Sequence, residues 1–325
     1  KGAASALGIT AQQMVDKKVE DDFPVPARYF EWINYPVCDL YSKDGKKLCA
    51  ALEKLDRSLW KNHEFIYVSK LHRLQIVNQI TAELVGRLED KELNPDESVQ
   101  AGASNYGLLS DKLLRLGLNE ETIALAQKSM VSLRRNVKTY PKLGHLLQRM
   151  LSNQAGYLYR HTQIVTYISL HIVRNIDWGT PVQEDKIAFI SFFHDIALET
   201  DSQAEIHTKE ELRTSKLPIR EKTIVDKHAQ VAAELVHKYP HAPMGADQII
   251  RQHHGMLNGI GFSDHFGANL SPMAIVFVVA EEFTRLILNK ENGPFNSKEL
   301  VRELRESFPT SRFQKIIDSL EQVAF

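Results

Sequence analysis

Six side chains that can bind metal ions occur in the second half of this 325-residue chain. They are five histidines and one aspartate: His161, His194, Asp195, His228, His253 and His254. Imidazole nitrogens and carboxylate oxygens are ligands that proteins offer to zinc, manganese and iron, and one aspartate can bridge two such ions. The adjacent pair His194 and Asp195 therefore predicts a metal site with Asp195 as the bridging ligand.

The spacing of these residues allows each ligand position its own helix. Successive positions are separated by 33, 34 and 25 residues, and helical bundles build metal sites from side chains on facing helices. In the predicted helix 219–238, His228 shares one face with Ile224 and Val231. A single histidine on such a face is more often satisfied by a backbone carbonyl. Five histidines and an aspartate in this order favour a metal centre instead.

The other histidines are predicted to take no part in this site. His237 falls on the polar face of the same helix as His228. The remaining ones have no ligand partner at a useful spacing, and these are His63, His72, His145, His171, His207, His241 and His265. We therefore expect surface or packing roles for them.

The stretch 160–286 resembles the HD-GYP family of cyclic di-GMP phosphodiesterases. Segments 160–162, 193–196 and 227–235 resemble the helices that carry the family's first histidine, its His-Asp motif and its middle histidine. Segment 253–262 resembles the signature His-His-Glu-x-x-Asp-Gly-x-Gly-Tyr-Pro. The resemblance implies a mostly α fold, in which a helical HD-type metal-dependent phosphohydrolase domain follows a small α+β domain.

Several positions depart from the family pattern. Gly255 replaces the signature glutamate, Asn258 the aspartate, Phe262 the tyrosine and Ser263 the proline, and Leu198 stands where a lysine follows the His-Asp pair. Each change removes a charge, a hydroxyl or a backbone constraint, whereas the predicted ligands are intact. The pattern predicts preserved metal binding and altered substrate handling.

A seventh ligand is predicted on the last helix of the motif. Ser271 and Pro272 are its N-cap and first helical residue, and the apolar run 273–280 indicates burial before the chain reaches Glu281 and Glu282. A buried carboxylate needs a cation. Helical periodicity does not separate the two glutamates, and the resemblance, in which an aspartate ends a Val-Ala-Asp run, implies Glu281.

The ligand set predicts two transition-metal ions, with iron as the first choice and manganese as the alternative, because it is rich in imidazole and carboxylate and lacks thiolate. Relatives with a third metal use a glutamate one turn before the first histidine, where this chain has Tyr157. Two cations that share a hydroxide lower its pKa and direct it at phosphorus. Asp195 and His194 are thus the predicted catalytic residues, and the expected ligand of the cleft is a cyclic dinucleotide or phosphate.

Further residues are candidates for binding substrate or a partner. Lys216 matches a Gly-Lys-Leu turn of the family and, with Asn258, is a candidate substrate ligand. Gly259 and Gly261 predict a flexible turn that exposes Phe262 beside the cleft. Under the alternative function, a non-enzymatic signalling module that retains the metal site, this loop docks a protein partner such as a diguanylate cyclase domain. A simpler HD-superfamily nucleotide hydrolase is a third possibility, against which the second histidine pair argues.

The chain length predicts two domains. Residues 1–148 are expected to form an α+β regulatory or partner domain with a helical connector, and residues 149–325 the phosphohydrolase domain. A hairpin is expected within residues 37–52, with Asp44 and Gly45 in its turn. Residues 89–107 are polar and rich in small side chains, which predicts a loop. One strand and three helices are expected at 64–68, 71–88, 120–137 and 141–151.

Bulk composition narrows the class of partner. The net charge is −1 and no basic stripe is present, which argues against duplex nucleic acid as a ligand. The longest apolar run lies within 273–280 and is too short to span a bilayer, so no membrane partner is expected. Cys38 and Cys49 lack the spacing of a metal knuckle, and no secretory signal is evident, so a cytoplasmic location is predicted.

Overall fold

A computed structural model confirms the predicted mostly α fold class, with a small antiparallel sheet in the first part of the chain. The structure describes residues 22–56, 58, 62–89, 94–116, 118–140, 142–152, 155–266, 269–290 and 296–323. The chain divides into two compact units, Lys1–Asp90 and Lys91–Phe325. The domain boundary expected between residues 148 and 149 falls inside a helix of the second unit and stays a prediction.

The first unit is built on a four-stranded sheet of strand order β1-β4-β2-β3. Its strands are β1 (Asp22–Pro26), β2 (Leu40–Tyr41), β3 (Lys47–Cys49) and β4 (Phe65–Ser69). Strands β2 and β3 form the expected hairpin, and its turn contains Gly45 with a φ of 81°, which glycine adopts without steric cost. Strand β4 buries Ile66 and Val68 on one side, which gives the sheet an apolar face.

Helix α1 (Arg73–Glu89) completes the described part of this unit. It buries Ile76, Ile80 and Leu84, which recur every four residues and so form one apolar stripe. The strand expected at 64–68 and the helix expected at 71–88 are therefore present, with bounds shifted by one or two residues.

In the described part of the second unit all regular secondary structure is helical. Its helices are α2 (Pro95–Leu116), α3 (Glu120–Thr139), α4 (Leu143–Ser152), α5 (Tyr157–Asn175), α6 (Pro181–Phe193), α7 (Asp201–Ala204), α8 (Lys209–Thr214), α9 (Ile219–His237), α10 (Ala246–Arg251), α11 (Pro272–Asn289), α12 (Ser297–Ser307) and α13 (Ser311–Ile317). Helices α5 and α11 are buried on almost every side and pack against each other, so they form the centre of the unit. None of the helices in the described part of the chain combines the length and the apolar character that a bilayer span requires.

The prediction of a loop at 89–107 is wrong, because α2 begins at Pro95 and runs through most of this segment. The small polar residues of this segment are buried between helices. Asn105 Nδ2 donates to Ser129 Oγ on α3 at 3.0 Å, and Ser98 Oγ donates to Asn136 Oδ1 at 2.9 Å. Hydrogen bonding to neighbouring helices thus satisfies side chains whose polarity had suggested a solvated loop.

Helix α2 also holds the turn that follows α6 and carries the His-Asp pair. The Tyr106 hydroxyl donates to the carbonyl of Phe192 at 3.2 Å, and Ser110 Oγ donates to the carbonyl of Ile196 at 2.8 Å. These carbonyls flank the pair on both sides in sequence. The two buried hydrogen bonds therefore fix the backbone that presents His-Asp to the interior of the unit.

Removing either donor should destabilise the second unit. Tyr106→Phe and Ser110→Ala each leave a buried carbonyl without its side-chain donor, so each should lower the free energy of unfolding by about 1–2 kcal/mol in urea titrations. Ser307→Ala is the matched control, because this exposed hydroxyl donates to a carbonyl within its own helix, and it should change stability by less than about 0.5 kcal/mol. Equal losses of stability at the buried and exposed sites would contradict a stabilising role for the two buried hydrogen bonds.

Candidate metal centre

Five helices bring the seven predicted ligands together. They are His161 on α5, His194 and Asp195 at the end of α6, His228 on α9, His253 and His254 after α10, and Glu281 on α11. Helices α6 and α11 have the same type of N-terminus. Thr180 and Ser271 are N-cap residues that accept a hydrogen bond from a backbone amide, and a proline follows each. The N-cap predicted at Ser271 is confirmed.

The carboxylate of Asp195 faces ligands on both of its oxygens. Oδ2 lies 3.1 Å from Nε2 of His194 and 3.6 Å from Nε2 of His161. Oδ1 lies 3.3 Å from Nε2 of His228 and 3.6 Å from Nε2 of His253. A nitrogen and an oxygen that each lie about 2.1 Å from one ion are roughly 3.0–3.4 Å apart in common geometries, so these separations have the scale of ligands around shared ions.

The ligands form two groups that share Asp195. The first group is His161, His194, Asp195 and Glu281, and the second group is Asp195, His228, His253 and His254. In each group the ligand atoms lie within 4.8 Å of one another, and every member is buried. Glu281 Oε1 lies 3.0 Å from Nε2 of His161, and Nε2 of His254 lies 3.1 Å from Nε2 of His228. Each group is therefore compact enough for one ion.

Backbone carbonyls orient three of the histidines. Nδ1 contacts the carbonyl three residues earlier in His194 at 2.8 Å, in His228 at 2.6 Å and in His253 at 2.6 Å. When Nδ1 donates its hydrogen to that carbonyl, Nε2 carries the lone pair and faces the cluster. This arrangement is the usual support of a metal-binding histidine.

Buried oxygens without donors indicate that the residues fit a cation. Among the described residues, Oδ1 of Asp195 and both carboxylate oxygens of Glu281 are buried and have no hydrogen-bond partner. A buried charge without compensation is strongly destabilising. A metal cation satisfies these oxygens and the imidazole lone pairs together, and the donor set of nitrogen and oxygen suits zinc, manganese or iron.

The electrostatics of the cluster favour cations. Burial alone would raise the pKa of Asp195, but the charge and hydrogen bonding of His194 hold it well below its usual value. Burial likewise opposes ionisation of Glu281, and His161 lowers its pKa to about 2. Burial would lower the pKa of His194, yet Asp195 outweighs it and raises that pKa to about 9. The negative charge of Asp195 attracts protons and metal ions alike, so the two compete for this nitrogen.

His207, for which the sequence predicted no part in the site, lies beside the cluster. It occupies the irregular segment between α7 and α8, and its side chain is only 7% exposed. Nδ1 lies 3.7 Å from Oε1 of Glu281, and Nε2 lies 3.0 Å from the hydroxyl of Tyr157. Burial, with the charge of His161, lowers the pKa of His207 to about 4. Sequence spacing gave no signal, because an irregular segment has no periodicity.

Two other histidines behave as expected. His237 is exposed and contacts Asp247. His171 is partly buried on α5, and its Nε2 contacts the carbonyl of Ser319 at 3.1 Å. Both lie outside the two ligand groups, which makes His171 a control for the loss of a packed imidazole.

The two adjacent glutamates have different surroundings. Glu281 lies in the first group, whereas Glu282 accepts two hydrogen bonds from Arg285, at 2.6 and 2.9 Å. Helical periodicity left both open, because the choice depends on which side of α11 meets the other helices, and the resemblance implied Glu281. Glu281 is therefore the one placed to bind a cation.

The signature loop, residues 255–263, is bonded to α9. The amide of Gly261 donates to the carbonyl of Asp226 at 2.7 Å, and the amide of Gln230 donates to the carbonyl of Gly259 at 3.2 Å. Gly261 and Gly259 have positive φ angles, 75° and 72°. The expected turn is present, but its backbone is anchored to a helix.

Phe262 is buried, so the expected surface position is wrong. It is 3% exposed, and its ring centroid lies 4.6 Å from that of His254 and 6.3 Å from that of His228. Ring packing against these two histidines buries more apolar surface than an exposed position would. The exposed apolar residues of this loop are Leu257 and Ile260, at 50% and 36%.

Gly255, where the family has glutamate, leaves no room for a side chain. Its φ is 78°, and a Cβ at this position would lie 2.6 Å from Cδ1 of Phe266. L side chains rarely adopt this backbone conformation. Restoring the glutamate of the signature by a single substitution would therefore strain the backbone and displace Phe266.

The remaining candidates for substrate contact lie away from the buried cluster or serve local structure. Lys216 is exposed between α8 and α9. Asn258 is exposed, and its Oδ1 accepts from the amide of Ile260 at 3.1 Å. Leu198, where the family has lysine, is 3% exposed. Contact of Lys216 or Asn258 with substrate stays a prediction.

Two comparisons with known proteins give matches. Residues 158–322 match the HD domain family, a range that contains all seven predicted ligands. Among solved structures, an HDG"Y"P protein from Bdellovibrio bacteriovorus matches with a TM-score of 0.54 and 14% sequence identity. The match covers 93% of this chain and 100% of that chain. At this identity the likeness shows a common fold.

Replacing the shared carboxylate should cost both metal ions. Asp195→Ala removes a ligand from both groups, whereas His228→Ala removes one from the second group alone. We expect about two metal equivalents in the loaded wild type, nearly none in Asp195→Ala and about one in His228→Ala by elemental analysis. Asp195→Ala should also melt at a lower temperature, because bound metal stabilises the folded state. Full metal content and an unchanged melting temperature in Asp195→Ala would rule out a bridge.

Alanine substitutions at Gly255 and Gly245 distinguish the free-energy cost of a steric clash from that of a strained backbone. Both have positive φ angles, 78° and 74°, but the atom nearest to a Cβ at Gly245 is Nζ of Lys186 at 3.7 Å. Gly255→Ala should therefore lower the free energy of unfolding by about 1–3 kcal/mol more than Gly245→Ala in urea titrations. Equal losses would show that the loop yields to the added methyl group.

Proposed function

This chain belongs to the HD domain family, and we propose that it hydrolyses phosphodiester bonds with two metal ions held by the two ligand groups. The observation that carries the proposal is the position of Asp195, whose two oxygens face different groups. A carboxylate so placed can bridge two ions, as in two-metal phosphoryl transfer. Iron, with manganese as the alternative, suits a site rich in imidazole and without thiolate.

Two bound cations would supply a nucleophilic water at neutral pH and positive charge opposite the phosphoryl oxygens. The protein's own contribution is a rigid and dry site. His194 can present Nε2 to the cluster because Nδ1 is engaged by the carbonyl of Ser191, and Asp195 is 2% exposed. Electrostatic interactions are stronger in such a buried environment than in water.

A cavity beside the signature loop has the size and charge for an anionic ligand. Its volume is about 530 Å³, within the usual range for small-molecule sites. The lining includes Lys209, Arg213 and Lys222 but only one acid, Asp226. Phe262 forms part of the wall and also packs on His254, so the cavity adjoins the second group.

The three basic side chains of this cavity differ in whether a carboxylate neutralises their charge. Lys209 pairs with Asp264 at 2.8 Å, and Arg213 pairs with Glu210 at 2.6 Å. Lys222 donates to the carbonyl of Arg213 at 3.1 Å, an interaction that leaves its charge in place. Lys222 is thus the residue of this cavity best suited to meet a phosphate.

We propose cyclic dinucleotides as the substrate class and slow turnover as the consequence of the altered signature. Phe262 brings no hydroxyl and Gly255 no carboxylate to the site. Removing one polar group that stabilises a transition state costs about 2–3 kcal/mol, so the absence of two reduces the rate roughly a thousandfold or more. An activated diester with a good leaving group depends less on such stabilisation.

The second candidate function is a signalling module that retains the metal ions without turnover. The altered signature favours it, and so do Leu257 and Ile260, which are exposed on the loop beside the second group. Exposed apolar side chains next to a ligand site are a feature of protein docking surfaces. Leu257 and Ile260 are thus exposed on the loop, where the sequence had predicted an exposed Phe262.

Two substrates separate these functions. Metal-loaded protein should cleave bis(p-nitrophenyl) phosphate measurably and cyclic di-GMP slowly or undetectably, because only the latter needs the polar groups that the signature loop lacks. Phe262→Tyr should raise the rate on cyclic di-GMP more than the rate on the aryl diester. Lysine at Leu198 is unsuitable, because that side chain is 3% exposed and a buried ammonium would destabilise the fold.

Asp195→Ala serves as the negative control and should be inactive on both substrates. No cleavage of either substrate by metal-loaded wild type or by Phe262→Tyr would reject the enzyme and favour the signalling module. Faster cleavage of cyclic di-GMP than of the aryl diester would show instead that the altered signature supports full turnover.

A further inference from the structure

We propose that His207 is an eighth ligand of the metal centre and binds the ion of the first group through Nδ1. The inference rests on the proposed two-metal function and extends it to a residue outside the signature motifs. His207 is buried beside Glu281, although it belongs to neither group of closely spaced ligand atoms. Three features of its surroundings support coordination.

The two ring nitrogens of His207 face different partners. Nε2 lies 3.0 Å from the hydroxyl oxygen of Tyr157, whereas Nδ1 faces the carboxylate of Glu281. Three of the predicted ligands show the same division, with one nitrogen against an oxygen and the other toward the cluster. A metal-binding histidine normally donates its second N–H to an oxygen. His207 has this arrangement with the roles of Nδ1 and Nε2 exchanged.

The distance between His207 and Glu281 suits two ligands of one ion. Nδ1 and Oε1 are 3.7 Å apart, which is too long for a hydrogen bond. It is close to the 3.6 Å between His161 Nε2 and Asp195 Oδ2. Among the described residues, Oε1 of Glu281 has no hydrogen-bond partner. A cation between the nitrogen and the oxygen would satisfy both atoms.

The His207 ring is spaced like the ring of a ligand. Its centroid lies 5.3 Å from that of His161, equal to the 5.3 Å between His161 and His194. The backbone amide of His207 donates to Oε2 of Glu211 at 2.8 Å, which ties the irregular segment to α8. The imidazole is therefore held at the edge of the cluster, and coordination requires it to move toward the first group, whose ligand atoms lie within 4.8 Å of one another.

The competing arrangement is a chain of hydrogen bonds without coordination. In it the Tyr157 hydroxyl donates to Nε2 of His207, and Nδ1–H points at Glu281 and positions that carboxylate. Both arrangements predict weaker metal binding when the imidazole is removed. They differ in the number of imidazoles bound to metal, so the decisive measurement counts ligands.

Cobalt(II) is a suitable probe, because its visible spectrum reports on coordination and X-ray absorption counts bound imidazoles. His207→Gln keeps a polar side chain near Tyr157 and Glu281 but removes the imidazole. We expect it to weaken binding of one of the two cobalt ions at least tenfold, to change the visible band and to reduce the imidazole count by one. His171→Gln, the control for a packed imidazole away from the cluster, should match the wild type.

His207→Cys provides a second variant with a positive signal. A thiolate at this position that reaches cobalt should add a sulfur-to-metal charge-transfer band that is absent from the wild type. The wild type already contains Cys38 and Cys49, so the spectrum of the cobalt-loaded wild type is subtracted from that of the variant. This variant tests coordination even if His207→Gln folds poorly.

The outcomes separate this proposal from the proposed function. Two bound cobalt ions with an unchanged spectrum and imidazole count in His207→Gln, and no new band in His207→Cys, would overturn coordination by His207 and leave the two-metal centre intact. Less than half an equivalent of cobalt in the wild type would overturn the metal centre, and the eighth ligand with it.

Discussion

The buried carboxylate of Asp195 is the constraint on which the rest of the second unit depends. Its two oxygens face four imidazoles at 3.1 to 3.6 Å. An ionised carboxylate at this depth is costly unless cations compensate it. Metal ions on both sides would offset that cost and join α5, α6, α9, α10 and α11. Catalysis and folding stability would then depend on the same interaction.

A carboxylate that bridges two ions must also be held by its backbone. The His-Asp pair lies where α6 ends, so the regular hydrogen bonds of a continuing helix do not hold its backbone. Tyr106 and Ser110 of α2 donate hydrogen bonds to carbonyls on either side of the pair. Helix α2 precedes the range matched to the HD domain. The support of the site therefore extends beyond the segment that carries the ligands.

The sequence predicted the parts of the site that follow regular patterns. The order of the histidines anticipated the cluster, and periodicity placed His228 on the inner face of α9. The sequence predicted irregular segments and tertiary packing less well. Composition suggested a loop where α2 forms, because burial of small polar residues depends on partners distant in sequence. Phe262 was expected at the surface for the same reason, and His207 reaches the cluster through a segment without periodicity.

The most direct test of a shared carboxylate is the magnetic coupling between the two ions. Manganese(II) can be titrated into metal-free protein and followed by electron paramagnetic resonance. A carboxylate bridge predicts that, at about two equivalents per chain, the signal of isolated manganese is replaced by that of an exchange-coupled pair. Two independent, uncoupled manganese signals at full loading, or saturation at one ion per chain, would contradict the account.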